Sequence, residues 1–196
     1  MTIGVKDVVI VGGGIVACLS GYLLGLRGYK VTILEADSLG AHASGFAFGG
    51  LDPLTGVGMP EPLLGFSLWC YERHRSLAIE LQDVSGIDVG FEMRDRLNLA
   101  FTNDEVEKAK KDIEWMKDVD GFNVEWVDDA RARSLEPQVS RHIAGALFEQ
   151  SPGALEPYRF ILAAMRAGEH YNVELLQRRA VGLINDGSRC TGVQLE

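Results

Sequence analysis

The feature that most constrains the fold is a glycine-rich turn near the start of the chain. A β-branched run at residues 8–11 leads directly into the motif Gly12-x-Gly14-x-x-Ala17. Such a run is typical of a fully buried parallel strand, and glycine permits the sharp turn that must follow it. An apolar segment with helical periodicity comes next, so the pattern predicts a strand, a turn and a helix.

The helix and the strand after it complete a βαβ unit. From Ile15 to Arg27 apolar residues recur at helical intervals, and Gly28 stands at the position of a C-terminal cap. The expected apolar stripe consists of Val16, Leu19, Leu23 and Leu26. A second run typical of a buried strand, at residues 31–34, ends at Glu35. Strand, turn, helix and strand within about 30 residues predict an α/β fold with a right-handed crossover.

The residue types in the turn match the dinucleotide-binding fingerprint with alanine at its third position. Gly14 has no side chain, so a pyrophosphate can approach the backbone, and the small Ala17 lets the helix pack against the strand. The N–H groups of Gly14, Ile15 and Val16 then bind the phosphates together with the helix dipole. The turn therefore predicts a nucleotide site made of backbone atoms.

A carboxylate follows at the position where the fingerprint requires one. Glu35 lies 21 residues beyond Gly14, at the end of the second predicted strand. A carboxylate there accepts hydrogen bonds from the adenosine ribose hydroxyls and repels a 2′-phosphate, which disfavours NADP. The fingerprint itself leaves FAD and NAD open.

Charge and apolar composition exclude two classes of partner. Residues 8–26 carry no charge and match a membrane span in length, but three consecutive glycines interrupt the run. The sequence therefore predicts no membrane segment. The formal net charge of −9 argues against non-specific nucleic-acid binding, which requires neutralisation of phosphates.

The three cysteines form no disulfide framework or metal site. Cys18, Cys70 and Cys190 are far apart and show no paired spacing, so we interpret them as buried small hydrophobic residues. A cytoplasmic protein is the corresponding expectation.

The rest of the chain alternates between helical and strand patterns. A segment rich in small residues, 38–62, is of the kind that is functional or mobile. Thr102 and Glu105 predict a capping box at the start of a charged helix. Helices are expected at 63–83, 103–117, 129–135 and 158–170, and strands at 89–93, 97–101, 124–127, 143–150, 173–176, 180–184 and 190–195, the last two as a hairpin.

The small-residue segment carries a resemblance to a known family. Residues 43–51, which read ASGFAFGGL, resemble the second flavin-contacting segment of the D-amino acid oxidase, glycine oxidase and sarcosine oxidase family of FAD enzymes. In that family a small-Ser-Gly stretch runs beneath the pyrophosphate and a Gly-Gly-Leu stretch passes the flavin. The resemblance implies FAD as cofactor and adds these contact residues: Ala36, Ala43, Ser44, Gly49, Gly50 and Leu51.

The resemblance returns near the end of the chain. Residues 153–158 (GALEPY) look like the family's crossing from the substrate domain back to the FAD domain, and the backbone at Val181 is expected at the adenine. The implied organisation is a first FAD-binding part at 1–85, a partial α+β substrate domain at 86–152, and a return to the FAD domain at 153–196. Arg96 departs from the family pattern, in which a small residue often precedes the strand.

His42 stands directly before the small-residue stretch. Its position resembles that of the histidine that carries covalent FAD in dimethylglycine and sarcosine dehydrogenases, where an imidazole nitrogen attacks the activated flavin methyl group. We interpret His42 as a loop histidine without this role. Acid precipitation is accordingly expected to release all the flavin.

The family resemblance implies oxidation of an amine or amino acid by hydride transfer to FAD, with reoxidation by oxygen or another acceptor. Members are about twice as long as this chain, so we expect a chain that is incomplete relative to the family and inactive alone, with a missing C-terminal half or a partner chain completing the fold. No catalytic residue and no metal ligand is assigned. The alternatives are an FAD-dependent hydroxylase, a hydroxy-acid dehydrogenase and a non-catalytic nucleotide-binding subunit.

Overall fold

The structure is a computed structural model that describes residues 7–55, 59–150 and 152–196. Part of the small-residue segment predicted at 38–62, namely 56–58, lies outside the described residues. The helices are α1 (Ile15–Gly25), α2 (Leu64–Ser85), α3 (Asn103–Met116), α4 (Asp129–Leu135) and α5 (Pro157–Glu169). The strands are β1 (Asp7–Val11), β2 (Lys30–Glu35), β3 (Arg96–Ala100), β4 (Asn123–Asp128), β5 (Gly145–Gln150), β6 (Val173–Gln177), β7 (Ala180–Asp186) and β8 (Arg189–Leu195).

The chain divides into two units. The first consists of Met1–Gly49, Arg75–Phe91 and Leu155–Glu196, and the second of Gly50–His74 and Glu92–Ala154. Three segments that are distant in sequence therefore build the first unit. The predicted domain boundaries after residues 85 and 152 stay a prediction.

A parallel sheet with the order β1-β2-β6 forms the centre of the first unit. Helix α1 joins β1 to β2, and it packs against α5, which precedes β6. Val31 and Ile33 of β2 are fully buried, as a strand between two neighbours requires. The predicted α/β architecture is confirmed here.

The prediction that β1 is fully buried is wrong. β1 pairs with β2 in parallel, but among the described residues it is the edge strand of the sheet, and its burial alternates along the strand. Val9 is 46% exposed and Val11 is 59% exposed. The composition of the run indicated a strand but carried no information on which strands lie beside it.

The predicted apolar stripe of α1 is also wrong in its residues. Val16 and Leu26 are exposed, whereas the buried face consists of Ala17, Cys18, Gly21, Tyr22 and Gly25. A Cβ atom on Gly21 would lie 3.1 Å from Ile33 and 3.2 Å from Val173. The helix packs on the sheet through its small residues because larger ones do not fit at this distance.

The second unit contains an antiparallel sheet with the order β3-β5-β4. β5 lies in the middle, and both of its faces are covered. One face carries a cluster that includes Val127, Ala146 and Phe148, and the other carries a cluster of Leu54, Met116 and Leu147. This unit is the predicted α+β region.

Most of the remaining predicted elements are present, with exceptions. Residues 89–93 form only an isolated bridge at Glu92, so the predicted strand there is wrong. The capping box of Thr102 and Glu105 and the hairpin of β7 and β8 are confirmed. The three cysteines are free, but only Cys18 is buried, and Cys190 is exposed. Over the described part of the chain, none of the helices combines the length and the apolar character needed to cross a membrane.

Candidate functional site

The glycine turn directs the start of α1 away from the sheet. Gly12 has a φ of +104°, which L side chains rarely adopt, and its N–H donates to the carbonyl of Leu34 at 2.7 Å. A Cβ atom on Gly12 would meet nothing within 4 Å, so the space beside the turn is open. Gly14 then begins the helix in an extended conformation, and it has no side chain of its own to cap the helix. A helix start with an open approach has N–H groups to offer an anion.

Glu35 lies against this turn. Its Oε2 accepts a hydrogen bond from the Gly13 N–H at 2.6 Å, and its Oε1 accepts one from the Asp37 N–H at 2.7 Å. Two backbone donors thus fix the carboxylate at the end of β2, next to the start of α1. Each oxygen keeps a lone pair for a further donor, such as a sugar hydroxyl.

The segment that follows β2 folds back onto the same turn. The Ser44 Oγ accepts a hydrogen bond from the Ile15 N–H at 3.2 Å, and the Gly40 N–H donates to the Gly13 carbonyl at 3.0 Å. A Cβ atom on Gly45 would lie 2.1 Å from the Gly40 carbonyl oxygen, so only glycine fits there. The structure therefore brings together predicted site residues that are 29 positions apart in sequence, Ile15 and Ser44.

The Ile15 amide differs from the expectation in one respect. It was predicted to be a free donor at the helix start, whereas in the structure it is bonded to Ser44. A diphosphate at the turn would therefore meet the Ser44 hydroxyl as well as the backbone. This makes the position of Ser44 as important as that of the glycines.

A buried thiol lies beneath the turn. The Cys18 side chain is fully buried, with its Sγ atom 3.9 Å from the Gly13 carbonyl oxygen. Burial, and secondarily the nearby Glu35 carboxylate, raise the pKa of Cys18 to about 12. The thiol therefore stays protonated at neutral pH and contributes packing rather than nucleophilic chemistry.

Other predicted residues lie at different places. Ala36 follows Glu35 directly and is half-buried, and Ala43 is exposed. Gly49 has a φ of +81°, and a Cβ atom there would lie 2.1 Å from the Leu155 carbonyl oxygen. Gly50 and Leu51 belong to the second unit, and Val181 lies on β7 in a separate two-stranded sheet. Their contacts with a cofactor stay a prediction.

His42 has an acidic partner in the loop after β2. Its Nε2 atom lies 2.9 Å from the Asp37 Oδ2, and both side chains are largely exposed. Asp37 also donates its N–H to Glu35, so the three residues form one connected group. The contribution of Asp37 was missed at the level of sequence, although its position two residues after Glu35 in a turn was a usable signal.

The arrangement fits the adenosine diphosphate part of a dinucleotide. It offers backbone donors and the Ser44 hydroxyl at the helix start, a fixed carboxylate at the end of the adjacent strand, and open space beside Gly12. Within the described residues, no group of three or more His, Cys, Asp or Glu side chains is placed to hold a metal ion. The chemistry of the site is that of nucleotide binding.

The chain is similar to known FAD-dependent oxidoreductases. The family profile described as FAD dependent oxidoreductase matches residues 7–196. The glycine oxidase of Geobacillus kaustophilus is 30% identical over 148 residues, which cover 75% of this chain and 39% of that protein. The chain therefore spans less than half the length of this relative.

Solved structures show the same likeness. The glycine oxidase of Geobacillus kaustophilus superposes with a TM-score of 0.85 at 26% identity, over 96% of this chain and 52% of that one. The glycine oxidase of Bacillus cereus gives a TM-score of 0.84 at 26% identity, over 97% of this chain and 51% of that one. These matches confirm the predicted cofactor, FAD, and the predicted fold. Because the profile extends over every described element from β1 to β8, the chain belongs to the FAD-dependent oxidoreductase family.

Proposed function

We propose that the first unit binds the adenosine diphosphate part of FAD at the glycine turn, and that the complete protein oxidises an amine or amino acid. The observation that carries the proposal is the glycine start of α1, where the Ser44 hydroxyl accepts from the Ile15 N–H and Glu35 is held nearby by two backbone donors. FAD bound there would supply the hydride acceptor for oxidation of the substrate carbon. The residues of this chain bind and orient the cofactor.

The proposed contacts follow the residues predicted from the sequence. The N–H groups of Gly14 and Val16, with the Ser44 hydroxyl, take the diphosphate, because an anion at a helix start is stabilised by the dipole. Glu35 takes the ribose hydroxyls. The remaining proposed contacts are Gly12, Ile15, Ala36, Ala43, Gly49, Gly50, Leu51 and Val181.

The class of substrate rests on the relatives. Several of them, including the protein of Geobacillus kaustophilus, are glycine oxidases, which supports a donor with a carbon–nitrogen bond. A hydroxy-acid donor is the second candidate, and the two differ in which compound reduces the flavin. The residues that grip the substrate are not assigned to positions in this chain.

Turnover is proposed to require further polypeptide beside the first unit. Among the described residues, β1 pairs on one side only, and Val9 and Val11 leave an exposed apolar edge. Unpaired edges of this composition bind another strand readily. The relatives are about twice as long as the segment they share with this chain, which supports a polypeptide that completes the sheet.

The cofactor part is tested with the chain alone. FAD is added to the purified protein, and binding is followed by quenching of flavin fluorescence, with the Gly14→Val variant and the matched Gly65→Ala variant as controls. A Cβ atom on Gly65 meets nothing within 4 Å, so this second substitution changes a glycine without filling a site. Saturable binding that Gly14→Val abolishes and Gly65→Ala retains supports the proposal, and no binding by the unaltered chain contradicts it.

The reaction is tested after completion of the fold. Flavin bleaching is measured anaerobically in the complete protein that contains this chain, with glycine and with glycolate. Bleaching by glycine supports an amine donor, whereas bleaching by glycolate alone favours the hydroxy-acid alternative. A preparation that holds FAD but is bleached by neither compound favours a non-catalytic nucleotide-binding subunit.

A further inference from the structure

A buried carboxylate in the second unit has no hydrogen-bond partner. Glu149 lies on the central strand β5 and is only 1% exposed, and neither of its carboxylate oxygens accepts a hydrogen bond from the described residues. An ionised carboxylate in such a place carries a large desolvation cost unless a cation compensates it. Glu149 is therefore expected to be either protonated or paired with a cation.

The positive group opposite Glu149 is already engaged. Arg96 on β3 stands opposite Glu149 in the strand register, but its guanidinium forms an ion pair with Asp52. Asp52 also accepts hydrogen bonds from the Thr55 N–H at 3.3 Å and from the Thr55 hydroxyl. Through its ion pair with Asp52, Arg96 of β3 thus holds the Gly50–Thr55 segment against the sheet.

Apolar residues occupy neighbouring positions on the other side of Glu149 and around Leu147. Val124 of β4 stands opposite it in the register on the other side. Around its neighbour Leu147, helices α2 and α3 contribute Leu64, Leu68, Ala109, Ile113 and Met116. Asp52 and Arg96 are therefore the charged groups that decide the state of Glu149.

Burial, and secondarily the nearby Asp52 carboxylate, raise the pKa of Glu149 to about 7, although Arg96 acts in the opposite direction. Glu149 consequently changes its charge near neutral pH rather than in the acidic range of an exposed glutamate. When it ionises, Asp52 repels it and Arg96 attracts it.

We propose that Arg96 anchors the Gly50–Thr55 segment in a proton-dependent way: protonated Glu149 leaves the guanidinium to Asp52, and ionised Glu149 competes with Asp52 for it. Displacement of the segment relieves the repulsion between the two carboxylates and admits water to Glu149. A rise in pH through neutrality therefore favours the displaced state. Glu149 and Arg96 act as positioning residues, since both work through Asp52.

The consequence for the cofactor rests on the proposed function. Gly50 and Leu51, at the start of the anchored segment, belong to the stretch expected to contact the flavin. Loosening the anchor above neutral pH would then change how this stretch meets the ring. The anchor itself is a property of the second unit and can be measured without flavin.

The first experiment measures amide hydrogen exchange in the 196-residue chain at pH 6 and pH 8, corrected for the intrinsic rate. The Leu51 N–H, which donates to the Gly153 carbonyl at 3.0 Å, and the Thr55 N–H report on the segment. We expect protection to fall by up to about tenfold between the two pH values, because the displaced state prefers ionised Glu149.

Variants separate the proposed anchor from a general pH effect. Glu149→Gln should keep the protection constant between pH 6 and pH 8, and Asp52→Asn should lower it at both. Glu125→Gln, which changes an exposed carboxylate on the neighbouring strand β4, should behave as the unaltered chain. Equal pH dependence in the unaltered chain and in Glu149→Gln would overturn the proposal.

A second measurement needs no variant. Titration of the side-chain carboxyl ¹³C shift of Glu149 by NMR gives its protonation state in the unaltered chain. A midpoint in the neutral range supports the proposal, and a midpoint near that of an exposed glutamate overturns it. Because neither experiment contains FAD, failure of the proposed function, seen as absent FAD binding, stays distinguishable from failure of the anchor.

Discussion

The two units each hold a functionally informative glutamate, and the hydrogen bonding of the two carboxylates differs. Glu35 in the first unit is half-buried, and its carboxylate accepts two backbone N–H bonds. Glu149 in the second unit is buried without such donors, so burial favours its protonated form. The same residue type thus belongs to a backbone-defined site in one unit and changes its charge near neutral pH in the other.

The two sites therefore depend on different parts of the polypeptide. In the first unit the backbone forms the site, because glycines at 12 and 14 remove side chains and expose a helix start. In the second unit the chemistry depends on side chains that tertiary packing removes from water. Breaking either arrangement should affect one unit and leave the other intact.

The largest effect is expected at the glycine turn. Gly14→Val should lower FAD affinity by at least about 100-fold, because a Cβ atom there would lie 2.9 Å from the Ser44 Oγ and displace the hydroxyl proposed to meet the diphosphate. Isothermal titration calorimetry measures the change. The thermal stability of the second unit, measured by hydrogen exchange at β5, should equal that in the unaltered chain.

Gly65→Ala is the control for this substitution, and its FAD affinity should match that of the unaltered chain. If both variants lose affinity equally, the binding site lies elsewhere than at the turn.

The next effect is the pH dependence of stability that Glu149 causes in the second unit. The folded pKa of Glu149, about 7, exceeds its ordinary value of 4.5, so its stabilising contribution is complete below pH 4.5 and is lost as pH rises through 7. We expect the free energy of unfolding to fall by about 2 kcal/mol between pH 5 and pH 8 because of this group.

Urea unfolding of the second unit at several pH values measures that slope, and Glu149→Gln should remove most of it. A Glu149→Gln variant whose stability follows the same slope as the unaltered chain would show that another group is responsible.

A smaller effect is expected at the capping box of α3. The Thr102 Oγ1 accepts a hydrogen bond from the Glu105 N–H at 3.3 Å, and the Glu105 carboxylate accepts one from the Thr102 N–H at 3.0 Å. Thr102→Ala removes one of the two bonds and should destabilise the second unit by about 1 kcal/mol. Chemical denaturation gives the value, and FAD affinity of the first unit should not change.

No effect is expected at His42 on cofactor retention. Acid precipitation of the FAD-loaded protein should release all the flavin, because we expect no covalent bond between the flavin and His42. The His42 imidazole contacts Asp37 in the loop. The absorbance of the supernatant and of the redissolved pellet is compared. Flavin that remains in the pellet would assign His42 a covalent role.

The sequence was informative about the first unit because its site depends on short-range patterns. A glycine at positive φ, a small residue at the helix contact and a carboxylate at a strand end are each required locally, so Gly12, Ala17 and Glu35 could be recognised one by one. The contact between Ile15 and Ser44 was not predicted from spacing, although the family resemblance placed both residues in one site.

Features that depend on neighbours in space could not be predicted. The apolar run of β1 did not reveal that β1 is an edge strand, and the small face of α1 was hidden by larger apolar residues at similar intervals. The burial of Glu149 could not be predicted either, because a glutamate in a strand ordinarily lies on a solvated face. Its burial follows from the position of β5 between two other strands and beneath two helices.

The most direct test of the central claim is a ¹H–¹⁵N NMR titration of the chain with ADP, which represents the diphosphate half of FAD. We expect saturable shifts of the Gly14 and Val16 amides, together with a response of Glu35, and no change at Gly65. Binding that shifts none of the amides at the start of α1, or an absence of binding at millimolar ADP, would contradict it.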